Sequence, residues 1–268
     1  ARTTRVAGGG GRGGRIQGDL TAATRPADIL AIVGADADAF DAIHTATAIH
    51  RLATHGSRTA RDKEDVTRDP RFKALMALVD QNLARMNSQG LANVAWACAR
   101  LEHNPGVDVL RNIAVGLERE LLEVAKAAAK AAAAGSGSGL RAEERGARRP
   151  REVRPQAVSN TIWAFGQLRY RPEDATLKAL CDGVVPTLRQ FRAQELTNML
   201  LGIAHLEHDP GARFIDAAFN AVRDNLRSFE GQETSNLLWA CARLSRAPPP
   251  DVMDALLEQC ASQNLGGM

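Results

Sequence analysis

Four side chains recur at one place in a repeating segment and differ in kind: Arg100, Gln167, His205 and Arg243. All four donate or accept hydrogen bonds and suit the exposed edge of an unpaired nucleic-acid base. Four positions earlier stand Trp96, Trp163 and Trp239, the three tryptophans of the chain, with Leu201 in the remaining copy. An indole ring is a face on which an unpaired base stacks. Other chemistries lack their residues. His44 and His50 lie six apart and on different faces of a helix, so they do not form a metal pair. Cys98, Cys181, Cys241 and Cys260 are far apart with no CxxC pair, which excludes zinc ribbons, dithiol redox sites and a disulfide-stapled domain. All four read as reduced. The run GGGGRGG lacks the GK[ST] of a phosphate loop. Glu207, His208 and Asp209 read as a solvated turn, and no nucleophile stands at motif spacing from a base. No enzyme, metal or cofactor is expected.

The elements that carry these side chains follow from an internal repeat, the first thing to seek in such a chain. QGLANVAWACARLEHNP (89–105), QAVSNTIWAFGQLRYRP (156–172), QELTNMLLGIAHLEHDP (194–210) and QETSNLLWACARLSRAP (232–248) align without gaps. Their asparagines are Asn93, Asn160, Asn198 and Asn236. The last two intervals are equal, and the first is longer by the length of an insertion. After a proline at Asn +12 a second apolar series begins: Leu177, Leu180, Val184, Leu188, Phe191, then Ile215, Ala218, Val222, Leu226, Phe229. Spacings of 3, 4, 4 and 3 mark one face of an α-helix. The same register gives Leu110, Ile113, Leu117, Leu121, Val124 and, later, Met253, Leu256, Cys260. The unit is helix, proline-containing turn, helix. Pro186 should kink one second helix. A degenerate earlier copy has Phe72, Leu75, Val79, Leu83 and Met86 in its second helix and 40–53 as its first, with His44 at the asparagine position and a charged insertion near 54–69. A helical pair cannot bury its own apolar face, so the expectation is an all-α solenoid of about five helix-turn-helix repeats of about 38 residues.

Two segments fall outside the repeat. Residues 1–18 are Gly/Arg-rich with a charge of +4 and are expected to be disordered, at most an RGG-like tail. Residues 19–268 form the solenoid, interrupted at 126–154 by an Ala-rich helix extension and a Gly/Ser and Arg loop. The chain is +3 overall, and with +4 in residues 1–18 and +5 in residues 126–155 everything else sums to −6. The basic balance therefore resides in low-complexity segments and does not by itself argue for nucleic acid. No apolar run approaches the ~18 residues of a membrane span. The sequence lacks an initial Met and ends soon after its last pair, as a trimmed form or a piece of a longer protein would.

A helical pair of this period with the signature Q-x-[LV]-x-N-x-x-W-A-x-[AG]-x-L, with APPPDVMDALL (247–257) opening a second helix, resembles the octotricopeptide repeat. The resemblance covers roughly 40–265. It implies a right-handed α-solenoid that binds RNA, single-stranded or ribosomal, in a chloroplast or mitochondrion. Its members act in transcript stability, processing or translation, or as components of an organellar (mitochondrial) ribosome beside other ribosomal proteins. The alternative class is a protein–protein scaffold of tetratricopeptide-like type, which the −6 of the body favours.

On a helical wheel of 100° per residue with the asparagine at 0, positions −2, +1, +2, +5 and +8 fall together as the core face. Positions −4, 0, +3 and +7 form a stripe away from it. The stripes are Gln89–Asn93–Trp96–Arg100, Gln156–Asn160–Trp163–Gln167, Gln194–Asn198–Leu201–His205 and Gln232–Asn236–Trp239–Arg243. Position +4 is always small: Ala97, Ala164, Gly202, Ala240. A residue identical in every repeat cannot encode a sequence. Asn93, Asn160, Asn198, Asn236, Trp96, Trp163 and Trp239 are therefore expected at the repeat interface. Each tryptophan would fill the hole beside a neighbour's Ala or Gly, and Asn and Gln would form an inter-repeat ladder, with base stacking as the other reading. Emptying such a buried tryptophan site would cost about 3–5 kcal/mol. The variable side chains at +7, with the glutamines at −4, are the expected RNA contacts.

Overall fold

Helix signals dominate the chain, and the computed structural model, which describes residues 10–133 and 153–265, contains thirteen α-helices and no strand among them. They are α1 (Gly10–Ala22), α2 (Pro26–Asp36), α3 (Ala42–Gly56), α4 (Ala60–Arg68), α5 (Pro70–Asn82), α6 (Ser88–Arg100), α7 (Val107–Ala133), α8 (Pro155–Gln167), α9 (Asp174–Val184), α10 (Ala193–His205), α11 (Ala212–Asn225), α12 (Gly231–Arg243) and α13 (Pro250–Leu265). The chain divides into two compact units, Ala1–Ile113 and Ala114–Met268. In the first unit α3 packs against both α1 and α6, and α2 packs against α5. In the second, α8, α10 and α12 stack in that order. Each unit is thus a stack of helical pairs with the expected apolar stripes inside. Leu177, Leu180, Val184, Leu188 and Phe191 are all buried, as are Phe72, Leu75, Val79, Leu83 and Met86. Burying one Phe or Leu side chain contributes about 1.5–3 kcal/mol. None of the described helices is long and apolar enough to cross a membrane.

The joints repeat as strictly as the helices. Second helices run into a 3-10 turn, at Leu83–Arg85, Val185–Gln190 and Leu226–Ser228. A buried, extended Met86, Phe191 or Phe229 follows. Each of these stands seven before the asparagine of the next first helix. Pro186 therefore lies in the 3-10 turn and ends the helix at Val184, where the sequence predicts a kink. Phe40 repeats the arrangement after the 3-10 turn Ala37–Ala39, and its register puts Thr47, not His44, at the asparagine position. His44 instead completes the capping box of α3 with Asp41, and its Nε2 pairs with the Gly13 carbonyl at 2.9 Å. The charged insertion is helical: Thr59 and Asp62 cap each other at the start of α4.

The largest departure lies at the N-terminus. Residues 10–18, expected to be disordered, belong to α1, and α1–α2 is a helical pair beyond the five expected. Four of the first five positions of α1 are glycine, which disfavours a helix by about 0.5–1 kcal/mol each. Tertiary contacts override that propensity. Ile16 and Leu20 are fully buried. Arg12 binds Asp36 at 3.0 Å and Asp38 at 2.9 Å, and Arg15 binds Asp36 at 3.0 Å. Arg12 and Arg15 are therefore engaged within the protein and do not form a free RGG tail. Residues 1–9 and 134–152, the latter holding the segment expected as a loop, lie outside the described residues, while 126–133 continue α7 as the Ala-rich extension expected there.

The four first helices that carry the asparagine signature end alike. Glu102, Arg169, Glu207 and Ser245, each at position +9 from the asparagine, adopt left-handed φ values of 51–54°. The next amide then reaches back to the carbonyl at +5: His103 to Cys98 O at 2.9 Å, Tyr170 to Phe165 O at 2.9 Å, His208 to Ile203 O at 3.3 Å, Arg246 to Cys241 O at 2.9 Å. This backbone cap satisfies carbonyls that the helix end leaves open.

Candidate nucleic-acid interface

The reading stripe depends on α6, α8, α10 and α12 presenting equivalent faces. Each spans thirteen residues and ends on position +7. Arg100, Gln167, His205 and Arg243 are all exposed. Gln89 is half-buried, while Gln156, Gln194 and Gln232 are exposed. The asparagines are half-buried. So are Trp96, Trp163 and Leu201, while Trp239 is 43% exposed. On each of these helices, taken by itself, the stripe is therefore partly open to solvent and most open at its +7 end.

This placement puts the tryptophans at the rim of the contacts between first helices, Trp96 beside α3 and Trp239 beside α10, and not sealed within them. At +4 of α10 the missing side chain of Gly202 makes room for backbone, not for an indole. A Cβ on Gly202 would lie 2.5 Å from the Ile162 carbonyl oxygen and 2.7 Å from the Trp163 amide nitrogen. With α8 and α10 this close, Trp163 is left at the edge of the contact. Nor does an inter-repeat amide ladder form. Gln89 donates to Asn93 Oδ1 at 2.9 Å within its own helix. Among the described residues the side chains of Asn160, Asn198 and Asn236 make no hydrogen bond.

The rings have polar companions instead. His205 lies against Trp239 across the α10–α12 contact, with centroids 4.9 Å apart. His50 of α3 lies against Trp96 at 5.0 Å. The Arg100 guanidinium stands 5.8 Å from the Trp96 centroid, within cation–π range. Burial, then the neighbouring Arg243 charge, pushes the His205 pKa down. Burial, then Arg51 and His55, does the same for His50. Both imidazoles are held neutral near pH 7, which suits ring stacking beside fixed arginine charges. Arg243 also bonds Glu207 of the preceding pair at 2.8 Å, and Lys63 pairs with Glu102. These acids occupy the left-handed position +9, and shifting the sequence by one repeat is enough to locate them. His50 escapes the sequence reading because that reading anchors the first helix of its pair on His44.

The cysteines hold no site. Cys98, Cys181 and Cys241 are buried free thiols. Desolvation pushes them up to about 12, about 12 and about 11. Cys98 and Cys241 fill the core position +5 occupied elsewhere by Phe165 and Ile203. Among the described residues no group of three or more His, Cys, Asp or Glu side chains is placed to hold a metal ion.

Half of the chain, residues 118–251, matches the family model described as the Tbc2 translation factor, N-terminal domain. The match spans the second half of α7 and all of α8 to α12. No curated protein matches the chain.

Proposed function

We propose that this chain, which belongs to the family of the Tbc2 translation factor N-terminal domain, serves translation by binding RNA along the exposed stripe of its first helices. One observation carries the reading: position +7 varies among Arg100, Gln167, His205 and Arg243 and is exposed in every copy. A solvent-facing variable position beside half-open indoles is what a one-base-per-repeat reader requires. In this reading the tryptophans stack on bases, the side chains at +7 and the glutamines at −4 bond base edges, and no chemical step is catalysed. The octotricopeptide-like signature extends the proposal to a chloroplast or mitochondrial setting. There the protein acts as a separate translation or stability factor, or as a component of an organellar ribosome contacting rRNA.

Filter binding of the full chain to an arbitrary single-stranded RNA pool tests it. Affinity should fall as salt rises, because arginine–phosphate contacts release counterions. Arg100→Ala and Arg243→Ala should each lose about 1–3 kcal/mol if they meet bases, with unchanged thermal melts. Glu207→Gln should strengthen binding by freeing Arg243. Absence of binding at low salt overturns the proposal and leaves the second reading, a protein scaffold. The acids Glu102 and Glu207 bordering the stripe favour that alternative.

A further inference from the structure

The charged insertion at 54–69 plays no part in the stripe, yet it encloses a cavity within the first unit. The pairs built on α6, α8, α10 and α12 turn directly from first helix to second, whereas this one inserts α4. The space bounded by α2, the end of α3, α4 and the start of α5 is about 500 Å³, the size of a small-molecule site. Leu30 and Val66, each 4% exposed, form an apolar floor with Pro26. Gly56 draws this floor together: a Cβ there would lie 2.7 Å from Val66 Cγ2 and 3.3 Å from Pro26 Cγ. The His55 ring stands on the wall, with its Nε2 buried and without a hydrogen-bond partner. Burial, then the Arg51 and Arg58 charges, pushes its pKa down, so the ring is a neutral planar surface near pH 7.

The charges around the rim are held apart. Arg25 is engaged by Asp28 at 2.8 Å and Arg71 by Asp69 at 2.6 Å. Arg58 is exposed and forms no hydrogen bond or ion pair among the described residues, although Asp62 and Asp65 line the cavity with it. Asp62 caps α4. Asp65 accepts no hydrogen bond among the described residues and reaches only Arg61, at 3.9 Å. A cation and a carboxylate that share a cavity and leave each other unpaired can each bond a ligand lying between them. Such a ligand carries an anionic group for Arg58, donors for Asp65 and a flat apolar body for the floor and the imidazole. A nucleotide has all three. A guanidinium binds its phosphate by paired hydrogen bonds. A carboxylate accepts from its ribose hydroxyls. We propose that this cavity binds a nucleotide, with the phosphate on Arg58, the ribose on Asp65 and the base against Pro26, Val66 and His55. A free nucleoside monophosphate and the 5′-terminal nucleotide of an RNA share this chemistry. The site does not rest on the RNA reading of the stripe, whose residues do not line it.

Isothermal titration calorimetry of the full chain with adenosine 5′-monophosphate tests the proposal. One molecule should bind per chain, and adenosine and inorganic phosphate should each bind at least about tenfold more weakly. Arg58→Ala should weaken the nucleotide about tenfold or more with unchanged circular dichroism, since Arg58 has no partner to lose. Asp65→Asn should weaken adenosine monophosphate and leave its dideoxyribose analogue, which lacks the hydroxyls, unchanged. Arg100→Ala and Arg243→Ala should have no effect, so failure of the stripe and failure of this site are separate results. Competition with two RNAs of one sequence assigns the source. Displacement of the nucleotide by the 5′-phosphorylated RNA and not by the 5′-hydroxyl RNA places an RNA end in the cavity, and displacement by neither makes the free nucleotide the occupant. Absence of saturable binding at millimolar nucleotide overturns the proposal. So does binding that Arg58→Ala leaves intact, or that Arg100→Ala or Arg243→Ala abolishes. Adenosine or phosphate alone binding as tightly as the nucleotide overturns it as well, because the cavity would then not read both parts of one ligand.

Discussion

Gly202→Ala isolates the contact that sets the spacing of α8 and α10. A methyl group there would lie 2.5, 2.6 and 2.7 Å from Ile162 O, Ile162 C and Trp163 N, all backbone atoms that cannot rotate away. Ordinary contact begins near 3.4 Å, so the helices must part by a substantial fraction of a bond length. Overpacking of this kind costs about 1–3 kcal/mol. Removing a glycine from a helix interior returns about 0.5–1 kcal/mol. The net expectation is a loss of about 1–2 kcal/mol, or a melting point lower by roughly 2–8 °C for a chain of this size. Gly18→Ala is the control. It has the same helix-propensity gain and no neighbour within 4 Å, so it should stabilise its own unit by about 0.5–1 kcal/mol. Thermal and urea melts followed by circular dichroism read both. If Gly202→Ala is as stable as the wild type, or gains as Gly18→Ala does, the close approach of α8 to α10 is not a fixed constraint, and the explanation of the small side chain at +4 fails.

Trp163→Ala should lower stability by only about 1–2 kcal/mol, well short of the ~3–5 kcal/mol of a fully buried ring. Asn198→Ala should change it by less than about 0.5 kcal/mol, since no bond is lost; urea melts distinguish these values from the larger ones of a buried interface. Burial depresses the pKa of His50, His103, His205 and His208, so the unfolded chain binds protons more readily just below the ordinary histidine range. Stability is then fully present above the ordinary histidine value of about 6.5 and is lost progressively as pH falls below it; a melting point that is flat or rises as the pH is lowered from there contradicts this. Cys98, Cys181 and Cys241 should resist a thiol reagent in the native protein while the partly exposed Cys260 reacts. Titration in denaturant should then release all four, and rapid native reaction of Cys98 would contradict the packing around α6.

The first helices are legible because their chemistry repeats. Asn93, Asn160, Asn198 and Asn236 fix one register, and the wheel drawn on it places Arg100, Gln167, His205 and Arg243 on the open side, where they stand. The degree of burial of Trp163 is not legible. It depends on how closely α8 approaches α10, a distance set by Gly202 on another helix. Helix α1 is hidden for a similar reason. Its glycines argue locally for disorder, while its fixings, Asp36 and Asp38, lie more than twenty positions further along the chain. The extra pair α1–α2 has one signal, Phe40, which stands seven before Thr47 as Phe191 stands before Asn198. No copy of the tryptophan signature accompanies it.

Glu102, Arg169, Glu207 and Ser245 hold the left-handed turn that closes α6, α8, α10 and α12. Glycine would hold it with about 1–2 kcal/mol less strain per position. Because main-chain atoms alone make the stop, the side chain at that position is free to differ, and here it is acidic, basic, acidic and neutral in succession. The border of the exposed stripe can thus change its electrostatic character one repeat at a time with no alteration to the scaffold. Two of the four side chains already act as local counterions, Glu102 to Lys63 and Glu207 to Arg243. On the proposed reading, affinity for RNA is therefore adjustable at positions that need never touch it.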